Sequence, residues 1–167
     1  LLEAVARLKT EIPRLRVLAL GSGEREEELK ALTKHLGLSD RVLFAGYRED
    51  TDFCLHAMDF GAQPSVGTEI APFSVLELMA TGIPVVVSDY GGLPYLVTDG
   101  EDGLIVPHCT VEPLAEAIRK LATEPDTRRS FGERARARIL RSATLESFVE
   151  GTLSVYRSAL SRVTGWP

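Results

Sequence analysis

The stretch that decides the fold is residues 64–94, P-S-V-G-T-E-I-A-P-F-S-V-L-E-L-M-A-T-G-I-P-V-V-V-S-D-Y-G-G-L-P. Near its end stand three consecutive valines, Val85, Val86 and Val87, with no polar residue between them. An unbroken β-branched run is typical of a central strand in a parallel sheet, where both faces are covered. The apolar segment at 73–80 predicts a helix just before this strand. The stretch therefore predicts an α/β fold.

The same alternation of short apolar runs and longer helical segments extends over the rest of the chain. We predict strands at 16–20, 42–45, 60–63, 84–88 and 104–106. We predict helices at 1–10, 24–36, 73–80, 111–123, 127–140 and 145–160, with shorter helical turns at 51–56 and 91–97. Strands that alternate with helices predict a Rossmann-like, three-layer fold, with a parallel sheet covered by helices on both faces.

Composition excludes several classes of protein. The chain has 167 residues, of which 44% are hydrophobic and 26% charged, which suits one globular domain. The net charge is -5, and basic residues do not cluster, so we expect no nucleic-acid partner. Two cysteines and three histidines stand at no metal-ligand spacing, so we expect no metal site and a reducing, cytoplasmic environment. No apolar run approaches the roughly 18 residues that cross a bilayer.

The chain opens inside an amphipathic helical pattern formed by Leu1, Val5 and Leu8, with no capping residue before it. Helices normally begin at a cap. We therefore expect these residues to be the later part of a longer protein.

Glu77 is the one charge between Glu69 and Asp89. The helix that carries it is apolar nearly all round, so we expect this helix to be buried. A buried carboxylate costs several kcal/mol unless it is hydrogen-bonded, so Glu77 should have a partner. Ligand hydroxyl groups could supply it, and a neighbouring backbone amide or an arginine would do so equally well.

The start of the same helix suggests an anion site. Pro72 suits the first helical position, which makes Ala71 the N-cap. Alanine has no side-chain acceptor, so the amides at 73–75 would be free to bind a phosphate. The alternative is that water or the hydroxyl of Thr68 satisfies them.

The loops that follow the strands are the other candidate site segments, because ligands of open parallel sheets gather at the carboxyl ends of the strands. The first strand ends at Gly21-Ser22-Gly23. Gly21 and Gly23 would let a ligand approach the backbone, or would simply form a tight turn with positive φ.

Several motifs occur together in a recognisable order. Glu69 and Glu77 form E-x7-E, followed by M-A-T-G-I-P-V-V, G-G-L-P and D-G-E-D-G-L-I-V-P. V-L-A-L-G-S-G-E and R-V-L-F-A-G-Y precede them, and R-A-R-A-R-I-L and V-Y-R-S-A-L follow. Over nearly the whole chain this pattern resembles the C-terminal domain of group 1 retaining glycosyltransferases, which have the GT-B fold and are relatives of glycogen and sucrose synthases.

The resemblance implies a role for each candidate residue. Glu69 would contact the donor sugar beside the diphosphate as the catalytic residue, and Glu77 would take the ribose hydroxyls of the nucleotide sugar. The loop at Tyr47 and Arg48 would border the base. Backbone contacts to the donor would come from Phe73, Ser74, Val75, Gly21 and Gly23. No cofactor and no metal are implied, since the nucleotide sugar is the substrate.

The resemblance also implies that parts of the enzyme precede Leu1. These are the first strand of this domain, an arginine and a lysine that neutralise the leaving diphosphate, and the N-terminal domain that binds most of the acceptor. We therefore expect the isolated 167 residues to bind nucleotide weakly and to transfer no sugar. Pro72 lacks one N–H donor, and Tyr95 stands where the family often has an acidic residue.

Two other functions stay open. A sugar-nucleotide epimerase of the same fold would use the same cleft, and a non-catalytic scaffold with a decayed cleft would account for Pro72 and Tyr95. We expect a solvated helix face for the four arginines at 134, 136, 138 and 141, with association at a membrane surface as the alternative. Trp166 has no evident core to join and would dock on the missing domain.

Overall fold

The computed structural model describes residues 1–67 and 70–163. Within them the strands are β1 Val17–Leu20, β2 Val42–Gly46, β3 Gly61–Gln63, β4 Val85–Ser88 and β5 Gly103–Val106. The helices are α1 Leu2–Leu8, α2 Glu26–His35, α3 Thr51–His56, α4 Phe73–Ala80, α5 Leu93–Leu96, α6 Val111–Thr123, α7 Pro125–Ser142 and α8 Leu145–Val163. Each predicted strand and helix is confirmed, with bounds that differ by a few residues.

All strand pairs are parallel, as predicted. β1 pairs with β2, starting at Val17 opposite Val42. β4 pairs with β3 on one edge and with β5 on the other. The strands therefore form two hydrogen-bonded sheets, of two and three strands, and not one continuous sheet. Among the described residues, β1 and β3 each have an edge without a strand partner.

The three valines of β4 separate two halves of the core. Val86 packs in a cluster that includes side chains of α1 and α6, such as Leu8 and Ile118. Val85 and Val87 pack in a second cluster, with side chains of α4, α5 and α7. All three valines are fully buried, so helices cover both faces of this strand as predicted. Burial of each valine side chain stabilises the fold by roughly 1.5–3 kcal/mol, so β4 is firmly anchored in the core.

Helix α7 is fixed to the rest of the fold by close backbone packing at Gly132. A Cβ atom at Gly132 would overlap the carbonyl oxygen of Gly82 and lie 3.0 Å from its carbonyl carbon. Glycine at 132 therefore lets α7 lie directly against the turn that follows α4.

Arginines of α7 add hydrogen bonds to this packing. Arg136 Nη1 donates to the carbonyl of Ala80 at 2.8 Å, and Arg134 donates to the carbonyl of Glu101. Arg138 donates through Nη2 to the carbonyl of Tyr95 at 3.0 Å. Arg134, Arg136 and Arg141 are exposed, so the predicted solvated face is confirmed for them, whereas Arg138 is half-buried. The hydrogen bonds to carbonyls of neighbouring elements are a second role that the sequence did not predict.

Arg138 also meets a buried carboxylate. Asp102 is 5% exposed, and its Oδ1 accepts the N–H of Thr98 at 2.7 Å. Its Oδ2 lies 3.3 Å from Nη1 of Arg138. The Asp102–Arg138 pair ties the turn before β5 to α7.

Helix α8 follows α7 and leaves much of its apolar surface in solvent. Leu145 is 73% exposed, Phe148 70% and Tyr156 64%. No helix in the described part of the chain is long and apolar enough to cross a membrane. Trp166, expected to dock on another domain, lies outside the described residues.

Candidate functional site

The turns that follow β1 and β2 meet at the carboxyl edge of their sheet. The N–H of Gly21 donates to the carbonyl of Gly46 at 2.8 Å. Gly21 has φ +101°, a conformation that favours glycine, so a turn role is confirmed for this residue. A Cβ atom at Gly21 or Gly23 would meet nothing within 4 Å. Both glycines therefore border open space at the edge where a ligand would arrive.

The candidate base-binding loop begins directly after Gly46. Tyr47 is 77% exposed, so its ring is available for contact. Arg48 instead forms a two-point pair with Asp50, with Nε to Oδ1 at 2.7 Å and Nη2 to Oδ2 at 2.6 Å. Hydrogen bonding from the Arg48 guanidinium holds the pKa of Asp50 below its ordinary value. The charge of Arg48 is thus already compensated by a carboxylate of the same loop, next to the exposed Tyr47.

Helix α4 begins at Phe73, as the predicted range 73–80 has it, and not at Pro72, which the capping argument placed in the helix. Pro72 is the N-cap, with φ -64° and ψ 125°, and the first helical residue is Phe73. The prediction of Ala71 as the N-cap is therefore wrong. The ring of Pro72 fixes φ at a value that both a helix and an extended chain accept, and its extended ψ places it outside the helix. Pro72 makes no side-chain cap hydrogen bond, and the alternative cap, the hydroxyl of Thr68, lies outside the described residues.

Two backbone amides at this helix start have no acceptor among residues 1–67 and 70–163. The N–H of Val75 donates to the carbonyl of Pro72 at 3.1 Å. Within the described residues, the amides of Phe73 and Ser74 have no hydrogen-bond acceptor. The positive end of the α4 dipole therefore presents two free donors after β3, with Val75 as a third amide already engaged.

The predicted burial of Glu77 is wrong. Helix α4 buries Val75, Leu78 and Met79, whereas Glu77 is exposed. Phe73, which the apolar pattern assigned to the core, is 76% exposed. A short helix covers the core with one face, so an apolar sequence does not make every side of it buried.

One face of α4 is exposed and carries three of the predicted site residues. Phe73 and Ser74 precede Glu77 by four and three residues, and side chains at these spacings are neighbours on a helix surface. All three residues are exposed. The Glu77 carboxylate therefore lies on the same exposed face as the side chains of Phe73 and Ser74, one turn after the start of the helix. Its solvation removes the need for a protein partner. Glu69 and Thr68 lie outside the described residues.

Sequence reasoning missed a pair formed across the ends of β4 and β5. Asp89 Oδ1 accepts the backbone N–H of His108 at 2.7 Å and lies 2.7 Å from its Nδ1. Hydrogen bonding from the His108 side chain lowers the pKa of Asp89. The Tyr90 ring meets His108 edge to face, with centroids 5.3 Å apart. The signal in the sequence was a polar residue close after each of two predicted strands, with Asp89 directly after the first and His108 two residues after the second.

A small cavity lies beside this pair. It has a volume of about 160 Å³ and is lined by Ser88, His108, Cys109 and Thr110, together with residues from α1 and α6. In the described ranges, no three His, Cys, Asp or Glu side chains come together as a metal site would require.

The fold and these loops define a Rossmann-like α/β domain with a cleft at the carboxyl edge of its strands. A family model described as glycosyl transferases group 1 matches residues 1–138, and the chain belongs to this family. The lipopolysaccharide core biosynthesis glycosyltransferase LpsE of Rhizobium meliloti is 33% identical over 158 residues, which cover 95% of this chain and 45% of LpsE.

Solved structures agree with this assignment. Sucrose-phosphate synthase from Thermosynechococcus elongatus has a TM-score of 0.83 at 27% identity, over 96% of this chain and 42% of that protein. HepE of Anabaena, in complex with UDP-glucose, has a TM-score of 0.82 at 27% identity, over 93% of this chain and 44% of HepE. The predicted half of a GT-B fold is confirmed. The chain spans less than half the length of these relatives.

Proposed function

We propose that this chain is the donor-binding half of a retaining glycosyltransferase, which transfers sugar from a nucleoside-diphosphate sugar to an acceptor. The observation that carries the proposal is the start of α4, where the amides of Phe73 and Ser74 have no acceptor within the described part of the chain. A helix start with free N–H groups suits a diphosphate, because the donors and the dipole both favour negative charge. Membership of the family and the UDP-glucose bound to HepE support this assignment.

The diphosphate lies at the start of α4. Phe73 and Ser74 donate to its oxygens. Val75 joins them when a phosphate oxygen replaces the carbonyl of Pro72 as its acceptor. Glu77, on the same exposed face, accepts hydrogen bonds from the ribose hydroxyls, and a carboxylate acceptor makes such bonds stronger than neutral ones.

The base and the sugar occupy the flanking loops. Tyr47 stacks on the base, because its ring is exposed beside the Arg48–Asp50 pair. Gly21 and Gly23 leave room for the donor at the end of β1. Glu69 contacts the donor sugar. The chain needs no metal or further cofactor in this proposal, because positioning and stabilisation of the departing diphosphate supply the catalysis.

A further strand completes the sheet in the full-length protein. The doubly wound strand order 3-2-1-4-5-6 places a first strand between β1 and β3, and both strands have an unpaired edge there among the described residues. This strand and the acceptor domain belong to the part of the relatives that the chain does not match. The protein works in the cytoplasm on this proposal, and association with a membrane surface is the alternative.

A non-catalytic binding domain is the second candidate. The observation that favours it is Pro72 at the N-cap, which has no N–H and therefore supplies one phosphate donor fewer. Such a domain would bind nucleotide without transferring sugar.

The test uses the full-length protein. Calorimetric titration with UDP, GDP and ADP sugars should give binding for one of these bases, and NMR of the glycosylated product should show the anomeric configuration of the donor. Inversion of that configuration would contradict the retaining mechanism. Binding without turnover would select the non-catalytic alternative, and absence of binding to all three would contradict both candidates.

A further inference from the structure

The loop that joins β3 to α4 is held by few contacts. Its described residues Val66, Gly67, Ile70 and Ala71 make no hydrogen bond. Ile70 is 79% exposed, so its side chain does not anchor the loop in the core either. At the β3 end, the hydroxyl of Ser88 donates to the carbonyl of Ser65 at 2.5 Å. The other end needs a different anchor.

That anchor is the backbone at Gly92. A Cβ atom at Gly92 would overlap the carbonyl oxygen of Ile70 and lie 2.8 Å from its Cα. Gly92 has φ -86°, which any residue adopts, so backbone conformation does not require glycine here. What requires glycine is the direct contact with the Ile70 peptide.

The segment that carries Gly92 is held by burial in the core and by a hydrogen bond to α7. Leu93, the next residue, is fully buried. The carbonyl of Tyr95 accepts a hydrogen bond from Arg138 of α7 at 3.0 Å. Any added side chain at Gly92 would therefore displace the exposed Ile70 segment and not α5. Ile70 lies two residues before Pro72, the N-cap of α4, so this displacement would pass directly to the free amides.

We infer that Gly92 is a positioning residue for the donor, which sets the start of α4 through its contact with the backbone of Ile70. This inference rests on the proposed donor site at that helix start. The second glycine of G-G-L-P thus acts on the loop that precedes α4, which its backbone touches directly.

Gly92→Ala in the full-length protein tests the inference. The matched control is Gly132→Ala, where the new Cβ would likewise overlap a backbone carbonyl, that of Gly82, at the other end of α4. Both variants should lower the temperature of unfolding. Gly92→Ala should in addition reduce kcat/KM for the donor sugar by about 100-fold, since a displacement near 1 Å is sufficient for such a loss.

Hydrogen exchange supplies a readout that does not depend on the donor. The amides of Val75 and Leu76 both donate to the carbonyl of Pro72, so they report movement of the helix start. Their exchange rates should rise about tenfold in Gly92→Ala and stay unchanged in Gly132→Ala.

The outcomes separate the two proposals. Unchanged exchange in Gly92→Ala, or an equal rise in Gly132→Ala, would overturn the positioning role. A rise in exchange with unchanged affinity for the donor would overturn it too. Failure of the wild-type protein to bind any nucleotide sugar would contradict the proposed function itself, together with every role that rests on it.

Discussion

Replacing Phe73 by proline would remove one backbone amide from the proposed phosphate site while the helix is kept. Phe73 is the first residue of α4, a position where proline is favoured because its missing N–H has no helical partner. A residue that precedes proline prefers an extended ψ, and Pro72 already has ψ 125°. The ring of Phe73 is 76% exposed, so its loss leaves no cavity in the core.

The expected loss of affinity follows from the bond that is deleted. A hydrogen bond to a charged group contributes about 1.5–3 kcal/mol, so Phe73→Pro should weaken binding of the nucleotide sugar roughly 10- to 150-fold. Phe73→Ala keeps the amide and removes the same ring. The difference between the two variants therefore isolates the N–H group.

Calorimetry on the full-length protein measures this difference, and circular dichroism with thermal unfolding checks that the helix is retained. Equal dissociation constants for Phe73→Pro and Phe73→Ala, with both variants folded, would refute the placement of the diphosphate at the start of α4. A similar loss for both variants would point to contact with the ring instead.

Three further predictions concern the exposed face of α4, the turn before β5 and the loop after it. Glu77→Ala should weaken nucleotide binding about tenfold or more by calorimetry without changing the temperature of unfolding, because the side chain is exposed; unchanged affinity would remove its ribose role. Asp102→Ala should lower the free energy of unfolding by about 3 kcal/mol in urea titrations, because it leaves the partly buried Arg138 without its carboxylate. A loss equal to that of an exposed surface substitution would contradict this interpretation. The pKa of Asp89 is lowered in the folded protein, so its bond to His108 stabilises the fold fully at pH values above the ordinary carboxyl pKa of about 3.9. This stabilisation is lost as the pH falls through the lower pKa of the folded state. The temperature of unfolding of Asp89→Asn should therefore differ from that of the wild type at neutral pH and approach it in acid. A difference in unfolding temperature that does not change with pH would exclude the ionised carboxylate as its cause.

The sequence predicts the elements of this fold well, because most of them carry a clear periodicity. The valines at 85–87 specify a strand buried on both faces, and the structure has them fully buried. The wrong predictions concern side chains whose burial depends on how neighbouring elements pack against them. The pattern of α4 shows that the helix is apolar, but it does not show which face the core covers, so Phe73 and Glu77 were wrongly assigned to the interior.

The sequence pattern also does not predict contacts between residues that are far apart in the chain. Asp89 and His108 are 19 residues apart, and their pairing depends on β4 and β5 being adjacent. Arg138 reaches Tyr95 and Asp102 across 43 and 36 residues, and a row of arginines on a helix resembles a solvated face until the neighbouring turns are placed. The anchoring of Ile70 by Gly92 is a backbone contact, which no side-chain pattern reports.

The division between β1 and β3 has a consequence for handling the chain by itself. Each of these strands presents a row of N–H and C=O groups without a strand partner among the described residues. Such edges are templates for pairing with other chains and promote aggregation. The 167 residues in isolation should therefore self-associate as their concentration rises, and a peptide strand that pairs with both edges should keep them monomeric.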